Sequence, residues 1–364
     1  MKTIQNLVLA ILLTLSSACQ NKNNTAMPEI EENIPESWEE MCNAPQGYPI
    51  EVYEGGLEKR DAKGNITNYK GLNGKLSSGE LGWGSDGGGT GGGNFVPTHL
   101  SCTWLSYAEN VFYNIDCVID HDKMLKLFQE GYPDSMWFLN DGRRVKSYYN
   151  SIITGFAPGG VVVIWLSGAG KQLEIGRYKG IVVEMNPNEK ELEEMGYPVR
   201  NLFDLKYRKF IMTNAAVVPA EVQKANQGKP IPYGLWDTYR NRYSWRPIFE
   251  LQDNGVFGTA YFEMINGEKD ELFDVSLQEN KFTKRAIPKL INMGWVNKTK
   301  KEYAAEIVFD EQEVKDAFDA IYRDNKELEA ELVFTVNQAN NFVTVILVNN
   351  EVKIRLPKTK IKVY

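Results

Sequence analysis

The chain has 364 residues, a formal net charge of −7, and eight Trp, eighteen Tyr and sixteen Phe. An acidic chain without a basic stripe lacks the phosphate attraction on which nucleic-acid binding rests, so that class is excluded. The two histidines, His99 and His121, stand outside any ligand-spaced cluster and no C-x-x-C pair occurs, so neither a metal, a redox centre nor a cofactor is expected.

The first predicted element is an export signal. Met1-Lys2 precedes an apolar run from Leu7 to Leu15, and Ser16, Ser17 and Ala18 lead directly into Cys19. A basic start, a short apolar core and a small-residue cleavage site define a signal segment over residues 1–18. The run falls short of the roughly 20 residues that a membrane span needs. A cysteine immediately after small residues has the layout of a lipobox, although the leucine usual three residues before the cysteine stands four before it here, as Leu15. Cleavage before Cys19 and diacylation of its sulfur by palmitate-like chains are expected. Each buried CH2 then contributes about 0.8 kcal/mol to membrane attachment. Gln20 and Asn21 follow, with no aspartate there, which favours the bacterial outer membrane; either face is compatible. Residues 19–36 are polar, acidic and aperiodic, and read as a flexible tether.

The mature chain then alternates short β-like runs with turns, from Ile50-Glu51-Val52-Tyr53 onward. The glycine run Gly87 to Gly93 lacks the Gly-Lys-Ser/Thr ending of a phosphate loop and reads as a flexible loop of the kind that flanks binding sites. Ser101–Tyr107 and Val111–Cys117 form a hairpin pattern. With Glu109-Asn110 as the central pair of a two-residue turn, Cys102 faces Cys117 and a cross-strand disulfide is geometrically available; a change of register leaves two free thiols instead. Asp120 is a fitting N-cap for a helix carrying Met124, Leu127 and Phe128 at helical spacing. Gly160–Leu166 reads as a buried strand with Leu173–Tyr178 as its hairpin partner.

Residues 188–195 and 219–226 are predicted helical, and the pattern then recurs. Trp245–Glu250 and Phe257–Ile265 flank Asp253-Asn254-Gly255, a hairpin signal. Asp310 and Glu313 have capping-box spacing at the head of a helix with Val314 and Phe318. Phe342–Val348 and Val352–Leu356 follow as a strand pair across Asn349-Asn350. The expected fold is α+β, with antiparallel sheets, a few helices and a duplicated β-β-α-β-β unit, its halves at residues 37–185 and 186–364.

One stretch carries candidate recognition chemistry. Tyr233, Trp236, Tyr239, Arg240 and Arg242 form a candidate binding surface for an unknown protein or glycan, because aromatic rings stack on sugars and arginines fork onto carboxylates. The same composition also describes a core ringed by snorkelling arginines. Glu109, Asp116, Glu174 and Glu250 would support glycoside chemistry only if folding brought two of them together. No G-x-S-x-G elbow is present, no catalytic residue is assigned, and a glycan-active enzyme is the remotest reading.

Trp104-Leu105-Ser106-Tyr107-Ala108-Glu109-Asn110-Val111-Phe112-Tyr113 resembles the bacterial lipoprotein family grouped as domain of unknown function 2931. Gly82-Trp83-Gly84-Ser85, Gly155-Phe156-Ala157-Pro158-Gly159-Gly160, Arg177 and Tyr243-Ser244-Trp245-Arg246-Pro247 agree in order, so the resemblance covers residues 48 to 260. It implies an envelope lipoprotein and supplies no reaction. Relatives associated with interbacterial toxins make an immunity protein the alternative to a membrane-anchored, non-enzymatic binding module.

Overall fold

The computed structural model describes residues 37–72, 83–84, 89–140 and 142–364. The signal segment, Cys19 and the tether lie outside the described residues, as do Gly87 and Gly88 of the glycine run. The described residues belong to one structural unit.

Two layers form the first half. One contains β1 (Trp38–Asn43), β4 (Gly89–Gly93), β9 (Ser151–Ala157), β10 (Val161–Gly168) and β11 (Lys171–Lys179), in the order β4-β1-β9-β10-β11. The other contains β2 (Ile50–Arg60), β3 (Ile66–Gly71), β5 (His99–Ser106), β6 (Val111–Val118) and β12 (Ile181–Val183), in the order β12-β6-β5-β2-β3. Helix α1 (His121–Glu130) leads from one layer to the other, past a small hairpin of β7 (Tyr132–Phe138) and β8 (Arg144–Ser147). Asp120 caps α1 by accepting from Lys123 N at 3.1 Å, and Met124 and Phe128 are buried on one face.

The strands of the second half follow a corresponding order, with no counterpart of the β7–β8 hairpin. They are β13 (Tyr243–Leu251), β14 (Val256–Met264), β15 (Lys269–Phe273), β16 (Thr283–Arg285), β17 (Pro288–Val296), β18 (Glu302–Val308), β19 (Glu329–Val336), β20 (Val343–Val348), β21 (Lys353–Arg355) and β22 (Lys360–Val363). They order as β16-β13-β19-β20-β21 and β22-β18-β17-β14-β15. Each half thus has a central parallel pair, β1 with β9 and β13 with β19, among otherwise antiparallel ladders. The outer strands β11 and β15 meet at Gln172 and Lys269, which joins two layers into one ten-stranded sheet.

Apolar burial holds each pair of layers together. In the first half Trp104 packs on Phe156 with ring centroids 4.9 Å apart, among Ile152, Val162, Ile164 and Met124. In the second, Trp245, Phe262, Ile291, Leu332 and Phe334 face one another, with Val314 and Phe318 of a helix spanning Glu311–Tyr322. Each such side chain contributes about 1.5–3 kcal/mol relative to exposure. Four short helices follow, α2 (Glu189–Glu194), α3 (Tyr197–Asn201), α4 (Leu205–Thr213) and α5 (Ala220–Asn226); Ile211 of α4, with Leu202 and Val218 from the connections, packs over Leu105, Tyr107 and Phe112.

Several expectations need correction. Cys102 pairs with Ile115, and Cys117 with Leu100, because the turn is the four-residue Tyr107–Asn110; Cys102 and Cys117 remain free thiols. Burial pushes the Cys117 thiol up to about 11. The Asp253 corner is no hairpin: β13 and β14 lie in different sheets, and the Asp253 carboxylate ties the corner by accepting from Gly255 N and Asn340 Nδ2. Glu313 makes only half of a capping box, since its carboxylate accepts from Lys358 N. Gly89–Gly93 is a strand on β1 rather than a loop, and a Cβ on Gly93 would stand 2.4 Å from the Trp38 ring.

Candidate functional site

β10 is apolar on both faces because both are covered. Val162, Ile164 and Leu166 face the first-half core, whereas Val161, Val163 and Trp165 face elements of the second half. Trp83 stands edge-on to Trp165 at 5.2 Å, and Trp165 Nε1 donates to Asn266 O at 3.1 Å. Beside them Gly84 N donates to Asn43 Oδ1 at 2.9 Å, and Gln172 Nε2 donates to both Gly84 O and Gly267 O. Trp83 and Gly84 therefore dock against a turn of the second half.

A helical turn, α6 (Leu235–Thr238), completes the seam. Trp236 is 2% exposed and meets Tyr48 edge-on at 5.2 Å. Tyr239 is also buried, and its hydroxyl donates to Glu311 Oε1 at 2.5 Å. Burial and the Glu311 carboxylate push the Tyr239 phenol far above its ordinary range. Tyr48, Trp83, Trp236 and Tyr239 thus wall a cleft of about 280 Å³, with Lys289 and Glu311 as its charged members. Trp83 Nε1 is buried and has no hydrogen-bond acceptor among the described residues. A buried donor left unpaired costs about 1–3 kcal/mol.

The structure divides the stretch from Tyr233 to Arg242. Tyr233 is 62% exposed, whereas Trp236 and Tyr239 point inward and help to build the cleft. Arg240 donates through Nε and Nη2 to Glu174 Oε1, at 3.0 and 2.7 Å. Arg242 grips Glu268 at 2.6 Å, and Arg177 forks onto Asp237 at 2.8 and 2.9 Å. These arginines hold the wall of the seam and are committed to carboxylates on other elements.

The candidate carboxylates are dispersed. Glu109 accepts from Ser106, Tyr113 and Gly159, Asp116 pairs with Arg60, and Glu250 accepts from Thr335. The carboxylate beside Glu174 is Glu268, absent from the sequence-based set; its Oε1 accepts from Glu174 N at 3.1 Å. Both are ion-paired with arginines, an arrangement that binds the halves together. His99 contacts Thr98 and His121 contacts Asp122. Among the described residues no group of three or more His, Cys, Asp or Glu is arranged to hold a metal ion. No described helix is long and apolar enough to cross a membrane.

Layered antiparallel sheets with short helices place the chain in the α+β class. It belongs to the family described as protein of unknown function (DUF2931), whose family model matches residues 20–234. No curated protein and no solved structure matches the chain. The match ends at Gly234, so Tyr48 and Trp83 of the cleft lie inside it while Trp236, Tyr239 and Glu311 lie beyond it.

Proposed function

We propose that the protein is a lipid-anchored envelope protein of the outer membrane, and that its non-enzymatic role is to bind a ligand in the aromatic cleft at the seam of its halves. The anchor rests on Cys19 behind its short apolar run. The observation that carries the binding role is the buried Trp83 indole N–H, without an acceptor beside a cleft walled by aromatic rings. Aromatic walls with few polar groups suit a ring-faced ligand, and the indole selects one that carries an acceptor oxygen. A neutral sugar ring of a glycan has both features.

The anchor is tested by fractionation: Cys19→Ser should move the protein from the membrane pellet to the soluble fraction. Binding is tested by titrating neutral oligosaccharides into the Cys19→Ser chain while following tryptophan fluorescence. Saturable quenching that is weakened by Tyr48→Ala supports the cleft. Flat titrations across the series, with a folded protein, would remove it.

A further inference from the structure

We propose a second binding site, distinct from the aromatic cleft, beside the β11–β15 junction, and assign it to a hydroxylated organic anion, an acidic sugar unit. A cleft of about 410 Å³ opens there, within the size range of small-ligand sites. It lies where the two halves share one strand contact, Gln172 opposite Lys269. Both halves contribute: Tyr132, Lys171 and Gln172 from the first, Arg242, Asp270 and Arg285 from the second.

Charge is the first argument. Five cationic side chains line this cleft, Lys171, Arg242, Lys269, Lys284 and Arg285, against two carboxylates, Glu268 and Asp270. That sign is opposite to the net charge of −7 carried by the whole chain. The two carboxylates are also heavily used. Glu268 takes Arg242 and accepts from Asn266 Nδ2 and Glu174 N. Asp270 serves two cations, in contact with Lys171 and 3.9 Å from Arg285 Nε. The Arg285 side chain is 15% exposed; Nη1 donates to Trp245 O at 3.1 Å and the guanidinium lies over the Trp245 ring. Lys284 pairs with Glu327 at the rim and Lys269 has a partner of its own, so the excess positive charge lies with Lys171 and Arg285, which share Asp270. A guanidinium and an ammonium sharing one carboxylate in a partly dry cleft favour a further anion.

Two buried polar atoms make the second argument. Gln172 is 1% exposed; its Nε2 is used twice, but its Oε1 has no donor among the described residues. Tyr132 is 8% exposed and its hydroxyl has no partner there either. A bare anion would meet the cations and leave the Gln172 acceptor unsatisfied. Hydroxyl groups on the same ligand supply a donor for Gln172 and an acceptor for Tyr132. Uronic acids and sugar phosphates share this chemistry.

The test is calorimetric titration of the Cys19→Ser chain with glucuronic acid, glucose 6-phosphate, glucose and inorganic phosphate at low salt. At least one acidic sugar should bind saturably, more tightly than glucose and than phosphate, and which one binds separates carboxylate from phosphate sources. Arg285→Gln should weaken that binding about tenfold or more, the loss expected for one charge-assisted contact. Because Arg285 packs on Trp245, Lys171→Gln with Lys284→Gln is the companion variant, chosen at more exposed positions to keep the fold. Three results would each overturn the proposal: no binding by either acidic sugar, glucose or phosphate binding as tightly as the acids, or unchanged binding in a folded companion variant.

Discussion

Gly84 and Gly267 meet backbone to backbone across the seam: a Cβ built on Gly84 would stand 2.5 Å from the Gly267 Cα, and one on Gly267 2.8 Å from the Gly84 Cα. Both have positive φ, +77° and +87°. Either alanine substitution therefore combines a left-handed backbone penalty with overpacking, together about 2–4 kcal/mol. Urea denaturation of Gly84→Ala and Gly267→Ala should show that loss. A change within experimental error would mean that the two turns are not packed as described.

Trp236→Ala should behave as a core deletion. The side chain is 2% exposed and packs on Tyr48, so a loss of about 3–5 kcal/mol is expected from denaturation curves. A fully stable Trp236→Ala protein would return this ring to the surface. For the same reason Tyr48, half-buried at the rim, is the better residue with which to probe ligand binding.

Arg240 and Glu174 should be coupled. Glu174 is 9% and Arg240 34% exposed at the side chain, and the contact is 2.7 Å. A double-mutant cycle through alanine should report an interaction of about 1–2 kcal/mol, between the values for exposed pairs and for buried charged hydrogen bonds. Additive single losses would show that the pair is decorative.

Thiol chemistry checks the β5–β6 register. In the Cys19→Ser chain Cys42 and Cys102 are buried, and neither is bonded to Cys117. Ellman's reagent should find three thiols after unfolding, and Cys42 and Cys102 should be silent in the native protein at neutral pH. Recovery of a single thiol from a denatured, unreduced sample would restore the Cys102–Cys117 disulfide.

Alkaline pH should destabilise the fold. Burial, chiefly, raises the Cys42 and Cys102 thiols above their ordinary 9.0, and the Tyr107 and Tyr239 phenols above their ordinary 10.0. Groups raised in the folded state contribute fully below their unfolded values, and that contribution is lost as pH rises past them. Melting temperature should hold up to about pH 9 and then fall, first through the thiols and next through the phenols. A flat profile up to pH 11 would contradict the burial of these groups.

Much of the local structure was legible because it depends on nearby residues. The caps at Asp120 and Asp310, the apolar run of β10 and the helix opened by Asn188 all answer to local periodicity and capping. The β5–β6 register was not, since it turns on whether Asn110, at φ 58°, ends a two- or a four-residue turn. Asp253-Asn254-Gly255 has hairpin composition, yet the next strand belongs to the opposite layer. Half of the site was visible as aromatic and arginine content between Tyr233 and Arg242. What absorbs those arginines is Glu174 and Glu268, and no spacing rule links residues so far apart.

The parallel pairs have a kinetic consequence. β1 waits for β9, over a hundred residues later, and β13 waits for β19, where Arg246 and Glu331 are 85 positions apart. Closing such loops costs entropy before any contact rewards it, which places the protein among slow, high-contact-order folders. A growing chain therefore cannot complete either central sheet until most of that half has emerged. The outer face of β10 remains uncovered longer still, because its cover comes from the second half.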